Sequence, residues 1–357
     1  MKNIIRLKKS EIMGRLKKTP QLPVEAPVDF VVTWVDDSDE LWQKEKNKYD
    51  NNLEGNGPER YRDWNQLKYW FRSVEKYAPW VRKIHFVTYG HYPEWLNLEN
   101  EKINLVNHKD FIPQKYLPTF NSNAIELNLC RIEGLSEQFV YFNDDMYLNR
   151  PTEKEDFFSG GKPKYCNEAI PYRHYRKKEI FDYSLFNTIG LVNDYFDITR
   201  VMYNNPEIWF NKKNKSSLKY HRLSFRDNYL YGMAFTHLGM PMKKSTMEMV
   251  WKTFGDELDE TSQNKFRTPF DIWQQIFHLW DIMNGNCYHV NHNYFGKLYE
   301  NLKGQLDLIR EDIINEKSLM ICLNDSADLN ENDFNYVKSE IDKIFMEKYP
   351  NKSSYEK

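Results

Sequence analysis

The first patterned stretch is DFVVTWV at residues 29–35, an unbroken apolar, β-branched run that stops at Asp36-Asp37-Ser38-Asp39. A short run of this kind bounded by acids predicts a buried strand. Residues 64–77 change period: Leu67, Trp70, Phe71 and Val74 recur at helical spacing, and Pro79 closes the helix. Residues 84–88 and 103–106 are two further strand-like runs. A helix is expected from Asn123, with Asn123 as N-cap, Glu126 as its capping-box partner and Ile125, Leu129 and Ile132 on the buried face. Residues 139–142 read as a strand running directly into Asn143-Asp144-Asp145. Residues 151–215 carry Gly160-Gly161, several lysines and scattered aromatics without a clean period, whereas 217–285 read as largely helical. A last strand at 318–323 and a last helix at 331–347 close the chain.

Strands alternating with helices predict an α/β fold with a mainly parallel sheet flanked by helices and a helical lobe after it. Ligands of such sheets bind outside the carboxyl ends of the strands. Two of the expected strands end in acids there, Asp36/Asp39 and Asp144/Asp145. That placement is the first functional clue.

Composition adds a little. Aromatic residues make up 16% of the 357 residues, which suits both a large core and a groove whose rings stack on sugar faces. Acidic and basic residues nearly cancel, 52 against 50, so no nucleic-acid partner is expected. Residues 1–18 differ, with seven Lys or Arg and one Glu, followed by Pro20, Pro23 and Pro27. No apolar segment follows them as in a secretory signal, and no run of about 18 apolar residues occurs. The basic segment reads either as a solvated tail or as a patch resting on an anionic membrane surface. Cys130, Cys166, Cys287 and Cys322 form no C-x-x-C pair, which argues against a disulfide framework and for a reducing compartment. Cys287, His289 and His292 form one local cluster, but a fourth ligand at a usual zinc spacing is missing.

Several segments could carry chemistry, and each also has a plainer reading. Asp144-Asp145 at a strand end suits Mg²⁺ or Mn²⁺ holding a diphosphate, because hard cations take oxygen ligands. A solvated acidic turn is the alternative. Arg60 and Arg62 before a helix could hold an anion or merely join surface ion pairs. Asn121, Ser122 and Asn123 could bind a ligand or only cap the helix that they open. His237 is a candidate general base and Arg267 a candidate clamp for a charged phosphoryl group.

Longer strings resolve these choices. DFVVTWVDDSDELW, then RYRDWNQLKYWFRSVEKYAPWVRKIHFVTYGHYPEWL and LPTFNSNAIELNLCRIEGLSEQFVYFNDDMYL, then HLGMPMKKSTMEMVWKTFGDELDETSQNKFRTPFDI, then MICLNDS through KYPNKSSYEK, occur in this order. They resemble the successive conserved regions of the Stealth family of polysaccharide hexose-1-phosphate transferases and span most of residues 29–357.

The resemblance implies a glycosyltransferase-A-like nucleotide-sugar fold, a UDP-sugar donor, an oligosaccharide or polysaccharide acceptor (free or lipid-linked) and a divalent Mg²⁺ or Mn²⁺. Carried over by position, Trp34, Asp36 and Asp39 lie in the donor pocket, and Arg60, Arg62 and Asp63 shape its diphosphate side. Asn121, Ser122 and Asn123 contact the donor, while Asp144 and Asp145 meet metal and diphosphate. His237 stands where the family's proposed base does, and Arg267 where an arginine holds the transferred phosphate. The implied organisation is a basic tail and linker at 1–28 and a catalytic domain at 29–357. That domain divides into a nucleotide-sugar half (29–150), a mostly helical acceptor and catalytic lobe (151–317) and a closing strand and helix (318–357). The expected location is cytoplasmic, peripheral at the inner face of the cell membrane.

Two departures stand out. Asp37 replaces the usual Gly or Asn, and Leu238-Gly239 follows the histidine where the family often has H-x-P. The implied reaction is attack of an acceptor hydroxyl on the sugar-bearing phosphorus, with Asp145 and Arg267 in the catalytic set, His237 as base and UMP leaving. The rivals are a conventional metal-dependent glycosyltransferase that releases UDP and a non-catalytic glycan-binding subunit. The second would not need the acid pair and histidine that are present.

Overall fold

The computed structural model describes residues 26–49, 61–173, 180–210, 217–325 and 329–357. Arg60 and the basic segment 1–18 lie outside the described residues.

The strands are β1 (Val28–Thr33), β2 (Ile84–Thr88), β3 (Ile103–Asn107), β4 (Gln138–Asn143), β5 (Met146–Leu148), β6 (Phe158–Ser159), β7 (Lys162–Cys166), β8 (Met240–Lys243), β9 (Tyr288–Val290), β10 (Gly296–Tyr299) and β11 (Met320–Leu323). The principal sheet has the order β3-β2-β1-β4-β8, with β1 to β4 mutually parallel and β8 antiparallel at the edge. Smaller sheets join β10-β11-β5 and β6-β7-β9. The helices that matter here are α1 (Glu40–Asn47), α2 (Leu67–Tyr77), α3 (Ser122–Leu127), α4 (Ile180–Tyr195), α5 (Leu218–Asp227), α6 (Lys244–Thr253), α7 (Gly255–Gln263), α8 (Gln275–Met283), α9 (Leu306–Ile314) and α10 (Glu331–Lys348).

β1 is the central strand and is buried on both faces, with Asp29 on one of them paired to Arg82 and His85. Val28, Phe30, Val31 and Val32 are fully buried, and Phe30 meets Phe142 of β4 at 4.9 Å. Helix α2 covers one face through Leu67, Trp70, Phe71 and Val74, the four positions marked by the sequence period, with Trp70 against Phe142 at 5.6 Å. Burying side chains of this size stabilises the fold by about 1.5–3 kcal/mol each. Among the described residues no helix is long and apolar enough to cross a membrane.

Two expectations change. Helix α3 is capped by Asn121, not Asn123: its side chain accepts from the Asn123 amide at 3.0 Å. Glu126 is no capping partner, because its buried carboxylate meets the Tyr141 hydroxyl at 3.2 Å. The second change is β8, an added strand within a segment expected to be largely helical.

Candidate active site

From β1 the chain moves outward to β2 and β3, then returns to the other side of β1 for β4. The strand order therefore reverses between β1 and β4, and a crevice opens at their carboxyl ends. Trp34 to Asp39 leave β1 there, and Asp144-Asp145 leave β4.

Strand β8 delivers the histidine. It runs antiparallel to β4 with Tyr141 opposite Met240, so continuing that register by three residues sets His237 level with Asp144. His237 Nε2 lies 3.9 Å from Asp145 Oδ2. Gly239 explains the departure after the histidine: a Cβ there would meet the Phe142 ring at 2.5 Å and Met320 Sδ at 2.9 Å. With any Cβ at that position the Phe142 ring and the Met320 side chain would have to shift.

Beyond Asp145 the chain enters β5, which pairs with β11 and sets Met146 opposite Cys322. Leu323 donates its amide to the Asp145 carbonyl at 2.9 Å, and the Cys322 thiol donates to Asp145 Oδ2 at 3.3 Å. Cys322 was not a sequence candidate, since only the β5–β11 pairing brings it to the site.

The carboxylates crowd one another. Burial, then Asp145 and Asp63, push the Asp144 carboxyl well above its ordinary range. Burial also raises Asp145, against the opposing pull of His237. Asp63, whose Oδ1 accepts from Trp34 Nε1 at 3.5 Å, is raised by burial as well. Asp145 Oδ1 is buried without a hydrogen-bond partner. Among the described residues, His237 is the sole ion-pair partner of Asp145. An unpartnered carboxylate oxygen beside a second carboxylate that burial and like charge push toward its neutral form fits a hard divalent cation, which would supply the missing positive charge. Asp144 and Asp145 are the residues that would hold it. His237 itself is shifted down, because burial outweighs the attraction of Asp145, which favours the neutral ring that a proton acceptor needs.

Arg267 faces the same crevice through Ser122, donating to its Oγ from both Nε (3.2 Å) and Nη2. Ser122 and Glu126 are four residues apart on α3 and share a face. Glu126 is buried, its Oε2 has no partner, and burial raises its carboxyl to about 7 despite the nearby Arg267 charge. The Tyr141 hydroxyl links this carboxylate to Asn143 Oδ1 at 2.7 Å and Thr33 Oγ1 at 3.0 Å, at the ends of β4 and β1. Sequence reading missed Glu126 by treating it as a cap. Its i, i+4 relation to Ser122 was the available signal.

Other expected residues have different occupations. Asn121 and Asn123 are buried and donate to Asp271 Oδ2 at 2.8 and 3.0 Å, so they brace the loop carrying Arg267 and do not open into the crevice. Arg62 forms a two-pronged pair with Asp325 at 2.8 and 2.6 Å and stacks on Phe334 at 4.2 Å, which commits its guanidinium to the closing segment. Asp39 caps α1 by accepting from the Trp42 amide at 2.6 Å. Asp36 Oδ1 accepts from the Ser38 amide at 2.9 Å, and the Asp36 amide donates to His91 Nε2 at 2.9 Å. Trp34 packs edge-on against that histidine, with centroids 5.3 Å apart. Cys287, His289 and His292 are not drawn into a metal-ligand group: among the described residues that pattern is met by Asp145, His237 and Cys322.

Comparison with known proteins identifies the family. Residues 26–54, 60–165 and 236–275 match the family models for Stealth protein conserved regions 1, 2 and 3. The chain is 38% identical over 345 residues to the capsular polysaccharide phosphotransferase WcwK of Streptococcus pneumoniae, covering 92% of this chain and 99% of that one. It is 37% identical over 336 residues to the receptor polysaccharide phosphotransferase WefC of Streptococcus gordonii, covering 92% and 98%. Among solved structures, the galactosyltransferase LgtC in complex with donor and acceptor sugar analogs aligns over 87% of this chain and 95% of its own, with 12% identity and a TM-score of 0.36. With relatives this similar over nearly their whole length, and with the three conserved regions supplying β1, the acid pair, His237 and Arg267, the chain belongs to the Stealth family.

Proposed function

We propose that this protein transfers a sugar-1-phosphate from a UDP-sugar to a hydroxyl of a growing glycan in capsular or exopolysaccharide assembly. The observation that carries the reading is a half-buried histidine 3.9 Å from a carboxylate at the switch point of the sheet. Arg267, braced on Ser122, faces the same crevice.

In this reading the acceptor hydroxyl approaches His237, whose Nε2 takes its proton as the oxygen attacks the sugar-bearing phosphorus. The new O–P bond forms as the bond to UMP breaks, in line. The sugar–oxygen bond stays intact, so the anomeric configuration is kept and the product is a phosphodiester. Arg267 holds the non-bridging oxygens with a planar fork. Mg²⁺ or Mn²⁺ bound by Asp144 and Asp145 would neutralise charge on the diphosphate. Glu126 lies on the same face of α3 as Ser122, which accepts from Arg267. Trp34 and Asp63, bonded to each other at the mouth of the crevice, border the donor. The basic segment at residues 1–18 would hold the enzyme at an anionic inner membrane face, where the acceptor is assembled.

Incubation with a panel of UDP-sugars and an acceptor glycan tests this reading. UMP should accumulate in step with product. Stoichiometric UDP would instead assign a conventional glycosyltransferase.

A further inference from the structure

The two oxygens of Asp145 have different surroundings. Oδ1 is buried and unpartnered, whereas Oδ2 faces Cys322 Sγ at 3.3 Å and His237 Nε2 at 3.9 Å. The ligand atoms of these three residues all lie within 4.8 Å of one another. A tetrahedral zinc ion, with metal–ligand bonds of about 2.0–2.3 Å, separates its ligands by roughly 3.4–3.6 Å. Small side-chain rotations would bring this trio to that spacing.

We propose that Asp145, His237 and Cys322 form an inhibitory site for a thiophilic divalent cation of the Zn²⁺ class, distinct from the oxygen-lined position beside Asp144 and Asp145 Oδ1. The donor set is one sulfur, one imidazole nitrogen and one carboxylate oxygen, which matches three-ligand zinc sites with an open fourth position for water. Mg²⁺ gains nothing from sulfur and little from nitrogen, so the Oδ2 side selects against it. Access and rigidity also favour capture. Cys322 is fully buried and fixed in β11, while the His237 and Asp145 side chains keep 24% and 21% exposure and reach the crevice. Binding replaces the thiol proton by the metal and releases that proton to solvent. It also occupies the His237 Nε2 lone pair, so turnover stops. The metal site follows from geometry alone, whereas its inhibitory effect rests on His237 being the base proposed above.

Cobalt titration of the full chain tests the site without reference to activity, because thiolate-bound Co²⁺ absorbs in the near ultraviolet by charge transfer from sulfur. One equivalent should give the band, and Zn²⁺ should displace it while excess Mg²⁺ does not. Cys322→Ser should abolish the band, whereas Cys287→Ser should keep it. His237→Ala should weaken zinc, measured against a chromophoric chelator, on the order of 10- to 100-fold. Absence of the band, its survival in Cys322→Ser, or unchanged zinc affinity in His237→Ala would overturn the site. The His237→Ala result stands even if the serine variant does not fold. In activity assays zinc should arrest the wild-type enzyme reversibly by chelation. Full turnover with the cobalt band present would overturn the inhibitory role, and with it His237 as base, while leaving the metal site in place.

Discussion

The Asn121 side chain donates to Asp271 Oδ2 at 2.8 Å across 150 residues of sequence. Asp271 is fully buried and also accepts from Asn123 (3.0 Å), Asn264 (2.9 Å), the Thr268 amide (3.2 Å) and the Thr268 hydroxyl (2.8 Å). One carboxylate thus ties the loop before α3 to the loop that carries Arg267. Phe120 stacks on Phe266 at 5.4 Å beside this clasp.

Asp271→Asn replaces one accepting oxygen by a donating amide in a cluster where the Asn121, Asn123 and Asn264 side-chain amides already donate. Leaving such groups unpaired costs on the order of 1–3 kcal/mol each. Displacing Arg267 should lower kcat per folded molecule about tenfold or more with little change in donor KM. Arg267→Lys alone should also be severe, since an ammonium lacks the bidentate fork. The two changes should be non-additive if Asp271 acts through Arg267. Additive losses in the double variant would contradict that route.

Glu126 makes stability depend on pH with a definite sign. Its folded carboxyl titrates near 7, against an ordinary value of 4.5, so the folded state keeps a proton that the unfolded chain releases between those values. Stability contributed by the neutral acid is complete below pH 4.5, declines as pH rises, and is lost above 7. A shift of this size corresponds to roughly 3 kcal/mol. Glu126→Gln should therefore melt higher than wild type at pH 8, match it near pH 4, and lose activity throughout. Equal melting-temperature differences at both pH values would remove the buried-charge account.

The acid pair makes a metal prediction. Chelation should abolish activity and Mg²⁺ or Mn²⁺ should restore it, while Asp145→Asn should lose about 10²-fold or more in rate and remain folded. Full turnover in excess chelator would contradict the role given to Asp144 and Asp145.

Much of the sheet was legible because its strands are continuous apolar runs: Ile84–Thr88 is buried along its full length, as its sequence suggests. Strand β8 was not legible, since four residues that include Pro241 show too little period to stand out in a segment that otherwise reads as helical. An antiparallel edge strand tolerates proline, and a Cβ at the preceding Gly239 would press on Phe142. Asp144 and Asp145 announced themselves by ending a strand. Glu126 did not, because its place three residues after Asn123 reads as that of a capping partner. Cys322 and Asp271 did not, because each is brought to the site by a pairing or packing contact between segments far apart in sequence. The fate of Arg62 was hidden for the same reason: its partner Asp325 lies 263 residues away.

His237→Ala examines the base. Loss of a general base typically costs roughly 10²–10⁴-fold in rate. The variant should bind donor normally and fall into that range per folded molecule. If it keeps more than about a third of wild-type kcat, the loss is far smaller than general-base removal gives, and the proton acceptor must be sought elsewhere.

The central claim is that phosphorus moves with the sugar, and a donor radiolabelled only at its sugar-bearing phosphorus tests it most directly. After reaction with acceptor glycan, the label should appear in the polymer as a phosphodiester, with unlabelled UMP released in equal amount. Label recovered in UDP, with none in the polymer, would show attack at the anomeric carbon and contradict the account.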